Sequence, residues 1–215
     1  MSGEGIDVFY IGIALVTILF SMTLHEVMHG FVAYWLGDDT AKLQGRLTLN
    51  PIKHIDPFLT IILPVMLAVL GGPIFGGAKP VPFNPARVRF DEWGSALVAL
   101  AGPLTNFVIA FFSFVVWFLI GAPVDNIAGL FWLTMVQVNL GFFIFNMIPV
   151  PPLDGSRVLY ALAPDFVRRG MEAVEQFGII FVFAIVLVAS SSIGVFMGGA
   201  IRMIFNFFKL IFGLP

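Results

Sequence analysis

Long apolar runs alternate with short polar breaks along this chain, and glycine, proline and charge collect in the breaks. The first run extends from Val8 to Leu36, longer than the roughly 20 residues a helix needs to cross a bilayer. Gly37-Asp38-Asp39-Thr40 ends it. A second apolar piece, Phe58–Phe75, is interrupted by Pro64 and closed by Gly71-Gly72-Pro73. The third run is Ser95–Ile120 and the fourth is about Leu130–Ile148, stopped by Pro149, Pro151 and Pro152 just before Leu153-Asp154-Gly155. A polar stretch with Arg157, Arg168, Arg169, Glu172 and Glu175 leads to a fifth run, from near Phe177 through Ser190-Ser191-Ser192 toward Gly199. In 200–215, Arg202, Asn206 and Lys209 share one helical stripe, which predicts an interfacial helix.

Two connecting pieces read differently. Gly45-Arg46-Leu47-Thr48-Leu49-Asn50-Pro51 alternates as a short strand ended by a turn. Ala78-Lys79-Pro80-Val81-Pro82-Phe83-Asn84-Pro85 carries three prolines within six residues, which excludes a helix interior and favours an edge or loop.

Of the 215 residues, 59% are hydrophobic and 11% charged, against about a quarter charged in soluble domains. The chain is therefore read as an all-α polytopic membrane protein, one membrane-embedded domain spanning 1–215, with a core at about 8–165 and C-terminal helices at 177–215. About 4–6 membrane segments surround a three-helix core, with a re-entrant segment and short cytoplasmic strands. The lipid bilayer is its surroundings, and no basic tract suggests nucleic acid. The first run lacks a basic leading region and a small-residue cleavage site, so it is read as a retained span and not a signal peptide.

Charge orients the chain. Of the 11 Lys and Arg, nine lie in three loops: Lys42, Arg46 and Lys53; Lys79, Arg87 and Arg89; Arg157, Arg168 and Arg169. The positive-inside rule places all three in the cytoplasm of a multi-pass cell-membrane protein. That requires Phe58–Phe75 to enter and leave on one side, as a re-entrant or interfacial piece, with any irregular backbone covered by protein or lining a wet cavity.

The candidate chemistry sits in the first run, as His25-Glu26-Val27-Met28-His29. Histidines four apart share a helix face and can present two imidazoles to one metal ion. Glu26, on the flank of that face, can take a proton from a metal-bound water. Three ionisable residues in five would cost several kcal/mol to insert without a purpose. With no cysteine in the chain, a further ligand must be His54, Asp or Glu. Asp154 is favoured over His54, because a carboxylate at the end of a membrane helix is costly unless paired. In the charge-derived topology the first and fourth runs both travel inward, so His25, His29 and Asp154 arrive at the same face.

These words resemble the site-2 protease family of intramembrane zinc metalloproteases. The resemblance rests on His25-Glu26-x-x-His29, Asn146-x-x-Pro149 and Leu153-Asp154-Gly155, and further on Ala101-Gly102-Pro103-Leu104-Thr105-Asn106, Gly45–Pro51 and Gly77–Pro82. It covers roughly 10–165 and is closest to compact microbial members without a PDZ domain. It implies one zinc ion held by His25, His29 and Asp154, with Glu26 activating water and Asn146 near the catalytic centre, helping to stabilise the oxyanion. Read by itself, Asn146 is equally an interhelical hydrogen-bond donor. Asn106 is read as packing glue, and Gln137 and Asn139 likewise.

The expected activity is that of a zinc metalloendopeptidase cutting peptide bonds within or near transmembrane segments, as in regulated intramembrane proteolysis. A helical substrate must unwind, and the extended pieces could hold it by strand addition. Leu47, Thr48, Asn50, His54 and Lys79 are the candidate substrate contacts, His54 alternatively fixing a loop. The competing class is a catalytically inactive zinc-binding scaffold or a metal transporter. A transporter would line a path across the membrane with polar groups, whereas here they cluster at one depth and Glu26 is present. A peptidase of prenylated proteins is disfavoured by the Leu-Asp-Gly word. Gly72/Gly76 and Gly194/Gly198 match small-xxx-small packing, compatible with a homodimer.

Overall fold

The structure, a computed structural model, describes residues 8–62, 66 and 77–214. In chain order its helices are α1 (Val8–Trp35), α2 (Thr40–Leu43), α3 (Asp91–Leu119), α4 (Ile127–Asn146), α5 (Asp154–Leu162), α6 (Asp165–Glu175) and α7 (Gly178–Ile211). α1, α3, α4 and α7 are long and apolar enough to cross a membrane, and the chain is a multi-pass membrane protein. α1, α3 and α4 pack on one another, α5 packs on α3, and α7 on α4.

Capping fixes the ends. Arg89 reaches back to the last turn of α1, its Nε donating to Leu36 O at 3.2 Å and its Nη2 to Trp35 O at 2.6 Å. Those carbonyls have no partner inside α1, so a cation there satisfies them and complements the helix dipole. The start of α3 is thereby tied to the end of α1, and Ala33, Leu36, Val88 and Val98 bury the junction. Asn126 starts α4, its side chain accepting from Gly129 N at 2.8 Å. Farther along, Phe114, Trp117, Val136, Leu140 and Phe208 form a dry cluster joining α3, α4 and α7. Phe114 lies 5.5 Å from Phe208 and 5.3 Å from Phe205 between ring centroids, distances at which aromatic pairs add to area burial.

Three expectations change. No strand forms among the described residues. Gly45–Asn50 is turn and bend, and 77–84 is extended without a ladder. Pro80 and Pro82 have no N–H to give a ladder, and side chains take several of the other backbone groups. Arg46, buried at 7% exposure, donates to Lys79 O at 2.7 Å and Pro80 O at 3.3 Å. Asn84 N donates to Asp38 Oδ2 at 2.6 Å.

Second, the helix break expected near Gly199 lies earlier. α7 (Gly178–Ile211) is kinked at Ala189, whose φ of −109° and ψ of 19° are non-helical, and it runs on across Gly199. Residues 200–211 are held against the bundle, with Phe208, 1% exposed, docked into the α3–α4 cluster. Third, the polar stretch after Asp154 is itself two short helices, α5 and α6. Most of Phe58–Phe75 lies outside the described residues. Its flanks meet, with Gly77 N donating to Leu59 O at 3.0 Å and Thr60 Oγ1 to Gly77 O at 2.6 Å.

Candidate metal centre

His25 and His29, one turn apart on α1, are buried against α3. Their Nε2 atoms lie 3.0 Å apart. Asp154, the first residue of α5, brings Oδ2 to 3.2 Å from His25 Nε2 and 3.4 Å from His29 Nε2. Gly155 makes this approach possible, because a Cβ there would meet Met147 O at 2.4 Å. The first turn of α5 can therefore fold directly against the end of α4. On the opposite side Gly102 leaves room for the imidazoles, since its Cβ would lie 2.4 Å from His29 Nε2 and 2.6 Å from His25 Nε2. Both glycines belong to words singled out in the sequence, and the geometry supplies their reason.

The trio fits a tetrahedral cation. Zn–N distances of 2.0–2.1 Å imply ligand-to-ligand edges of about 3.3 Å, close to the three separations observed. Asp154 Oδ2 is a buried oxygen that receives no hydrogen bond among the described residues. His25, His29 and Asp154 are a group that could hold a metal ion. With three protein groups, a fourth tetrahedral position is left for water or substrate.

The other ring nitrogens are also engaged. His25 Nδ1 lies 2.6 Å from Asn106 Oδ1, and His29 Nδ1 lies 2.7 Å from Val98 O. Asn106 and Asn139, both fully buried, are therefore more than packing groups. The sequence signal for Asn106 was its place in the Ala101–Asn106 word. Asn139 had none beyond being a polar residue in an apolar run. Glu26 Oε2 accepts from Val81 N at 2.7 Å. The extended segment thus touches the Glu26 carboxylate, and Gly30 admits it, its Cβ position lying 2.9 Å from Val81 Cγ1.

The remaining candidates are not joined to the trio by any hydrogen bond among the described residues. Asn146 Nδ2 donates to Phe142 O of its own helix at 2.9 Å. His54 is fully buried. Its Nε2 lies 2.8 Å from Thr48 O, and its carbonyl accepts from Lys79 N at 2.9 Å. His54 therefore knits the 48–54 loop to the extended segment instead of lying open to a substrate. Asn50 caps the Pro51–His54 turn by accepting from Ile52 N at 3.1 Å. Leu47 is half-buried under Gly30, Thr48 is half-buried, and the Lys79 side chain is exposed.

The sequence matches the profile of Peptidase family M50 over residues 13–129 and 121–189. It is 41% identical over 181 residues to "Putative zinc metalloprotease YwhC" of Bacillus subtilis (strain 168), covering 81% of this chain and 79% of that protein. It is 31% identical over 184 residues to "Putative zinc metalloprotease Rip2" of Mycolicibacterium smegmatis, covering 83% of this chain and 69% of that one. No solved structure matches the chain.

Proposed function

The chain belongs to peptidase family M50, the site-2 protease family of membrane zinc metalloproteases, and from that premise we propose that it hydrolyses peptide bonds within or near transmembrane segments of other membrane proteins, in regulated intramembrane proteolysis. The observation that carries this reading is the convergence of His25 Nε2, His29 Nε2 and Asp154 Oδ2 within 3.4 Å of one another, between helices suited to a bilayer. Zinc is the ion indicated by the family and its relatives, and His25, His29 and Asp154 are its proposed ligands. When bound, zinc supplies Lewis acidity that polarises the scissile carbonyl and acidifies a water.

Glu26 is the proposed general base. One carboxylate oxygen rests on Val81 N, and the other takes the proton of the attacking water. As the water oxygen bonds to the carbonyl carbon and the C–N bond breaks, Glu26 returns that proton to the leaving nitrogen. Asn146 spends one N–H on Phe142 O; its second is the proposed donor to the oxyanion. The extended segment at 77–84, anchored by Arg46, His54 and Asp38, is proposed to hold the unwound substrate beside Glu26. Leu47, Thr48, Asn50 and Lys79 are the proposed substrate contacts, with His54 bracing the segment by accepting from Lys79 N at its carbonyl. The meeting of Leu59 with Gly77 supports a segment that enters and leaves on one side of the membrane, and with it a site toward the cytoplasmic side of the cell membrane.

The test is incubation of the purified protein, and of a Glu26→Gln variant, with a panel of single-span membrane proteins. Both proteins should bind one zinc per chain, and the variant should lose about 10²–10⁴-fold in cleavage. Zinc at full occupancy with no Glu26-dependent cleavage of any substrate would overturn the peptidase reading in favour of a zinc-binding scaffold.

A further inference from the structure

Behind His25 lies a chain of buried hydrogen bonds that joins all three core helices. Asn139 on α4 places Nδ2 at 2.8 Å from Met135 O and 2.8 Å from Ser21 Oγ. Its Oδ1 accepts from Asn106 Nδ2 on α3 at 2.8 Å, and that Nδ2 also lies 3.4 Å from Ser21 O on α1. Asn106 Oδ1 then faces His25 Nδ1 at 2.6 Å. Asn106, Asn139 and Ser21 are all fully buried, so no solvent can replace a lost partner.

The direction of this chain is set by its ends, independently of how hydrogens are placed. A backbone carbonyl only accepts, so the Asn139 atom beside Met135 O must be the NH2 group and its other atom the oxygen. That oxygen requires a donor, so the facing Asn106 atom is NH2; the Ser21 carbonyl, 3.4 Å away, agrees with this orientation but is too distant to hold it without Asn139. Asn106 therefore turns its oxygen to His25, which must meet it with Nδ1–H. A neutral imidazole carrying its proton on Nδ1 has a bare Nε2, and that Nε2 faces Asp154 and His29. Val98 O imposes the same tautomer on His29.

We infer that Asn139 is a positioning residue for the zinc site, acting through Asn106 to fix His25 as the Nδ1–H tautomer with its Nε2 lone pair directed at the metal. Asn139 touches neither metal ligand directly nor substrate. Its influence comes from polarity: without it, Asn106 can flip its amide, present NH2 to His25 and favour the Nε2–H form, which does not bind a cation. Partners behind metal-bound histidines commonly control affinity by 10–100-fold. The inference rests on the assignment of His25 as a zinc ligand, but it does not depend on proteolysis.

The experiment measures the zinc dissociation constant of the full-length protein by chelator competition, without any substrate. Asn106→Leu should bind zinc about 10–100-fold more weakly, and Asn139→Leu should weaken it in the same direction. In an Asn106→Asp background a carboxylate accepts from His25 whichever way Asn139 points. Adding Asn139→Leu there should leave zinc affinity unchanged. A merely structural role for Asn139 would lower affinity equally in both backgrounds, and that result overturns the inference. A second measurement needs no variant: ¹⁵N NMR of the zinc-loaded protein with labelled histidine should show His25 carrying its proton on Nδ1, and a His25 that keeps its proton on Nε2 refutes the relay. Either failure would leave Glu26-dependent cleavage untouched, so the relay and the peptidase reading fail separately.

Discussion

Replacing Gly102 with alanine would place a methyl carbon 2.4 Å from His29 Nε2 and 2.6 Å from His25 Nε2. Ordinary contact begins near 3.4 Å, so the His29 ring would have to retreat about 1 Å from α3. Metal–ligand distances tolerate only about ±0.2 Å, and the same retreat would stretch the 2.6 and 2.7 Å bonds behind the two rings. Overpacking of this kind costs about 1–3 kcal/mol of stability, while the zinc site should lose at least about 100-fold in affinity, beyond the loss of a single outer partner. Gly141→Ala is the control. Nothing lies within 4 Å of its Cβ position, and alanine is favoured over glycine in a helix by up to about 1 kcal/mol. The assay is zinc per chain and chelator competition on detergent-purified protein, with thermal unfolding measured in parallel. Gly102→Ala protein that retains wild-type zinc affinity would refute the close approach of the histidines to α3.

Three further outcomes follow from contacts away from the metal. His54→Phe should retain one zinc per chain and unfold at a lower temperature, because His54 holds Thr48 O and not the ion; loss of zinc with an intact fold would restore it as a ligand. Arg46→Ala removes buried, charge-assisted bonds to Lys79 O and Pro80 O. It should cost about 1.5–3 kcal/mol and reduce cleavage at full zinc occupancy, and unchanged cleavage would detach the extended segment from catalysis. Burial alone would push the Asp38 carboxyl up, but bonds from the Thr40 hydroxyl and the Asn84 and Thr40 amides hold it below its ordinary value of 3.8. A depressed folded pKa stabilises fully above the unfolded value and loses that stability as pH falls through the folded one. The thermal midpoint should therefore fall more steeply in wild type than in Asp38→Asn between about pH 5 and about pH 3; parallel curves would remove Asp38 from the acid response.

Length and hydropathy alone determined the spanning helices α1, α3 and α4, because apolar runs bounded by glycine, proline and charge need no distant partner to be recognised. Helical periodicity likewise put His25 and His29 on one face, since positions four apart coincide on any helix. The strand expected at Gly45–Pro51 failed because alternation says only which side of a strand is apolar. A ladder needs a second strand with free N–H groups, and Pro80 and Pro82 deny it. The break expected near Gly199 lies earlier, at Ala189, and Phe208 docks at a site between α3 and α4 that no local pattern encodes. Tertiary structure alone decided why Gly102, Gly30 and Gly155 are glycines, why Glu26 rests on Val81, and how Asn139 reaches His25 through Asn106. Each is a contact between residues far apart in sequence, fixed by helix packing and by the need of every buried polar atom for a partner. The chain announces its candidate metal ligands in short local words; which of their atoms face one another is a property of the folded bundle.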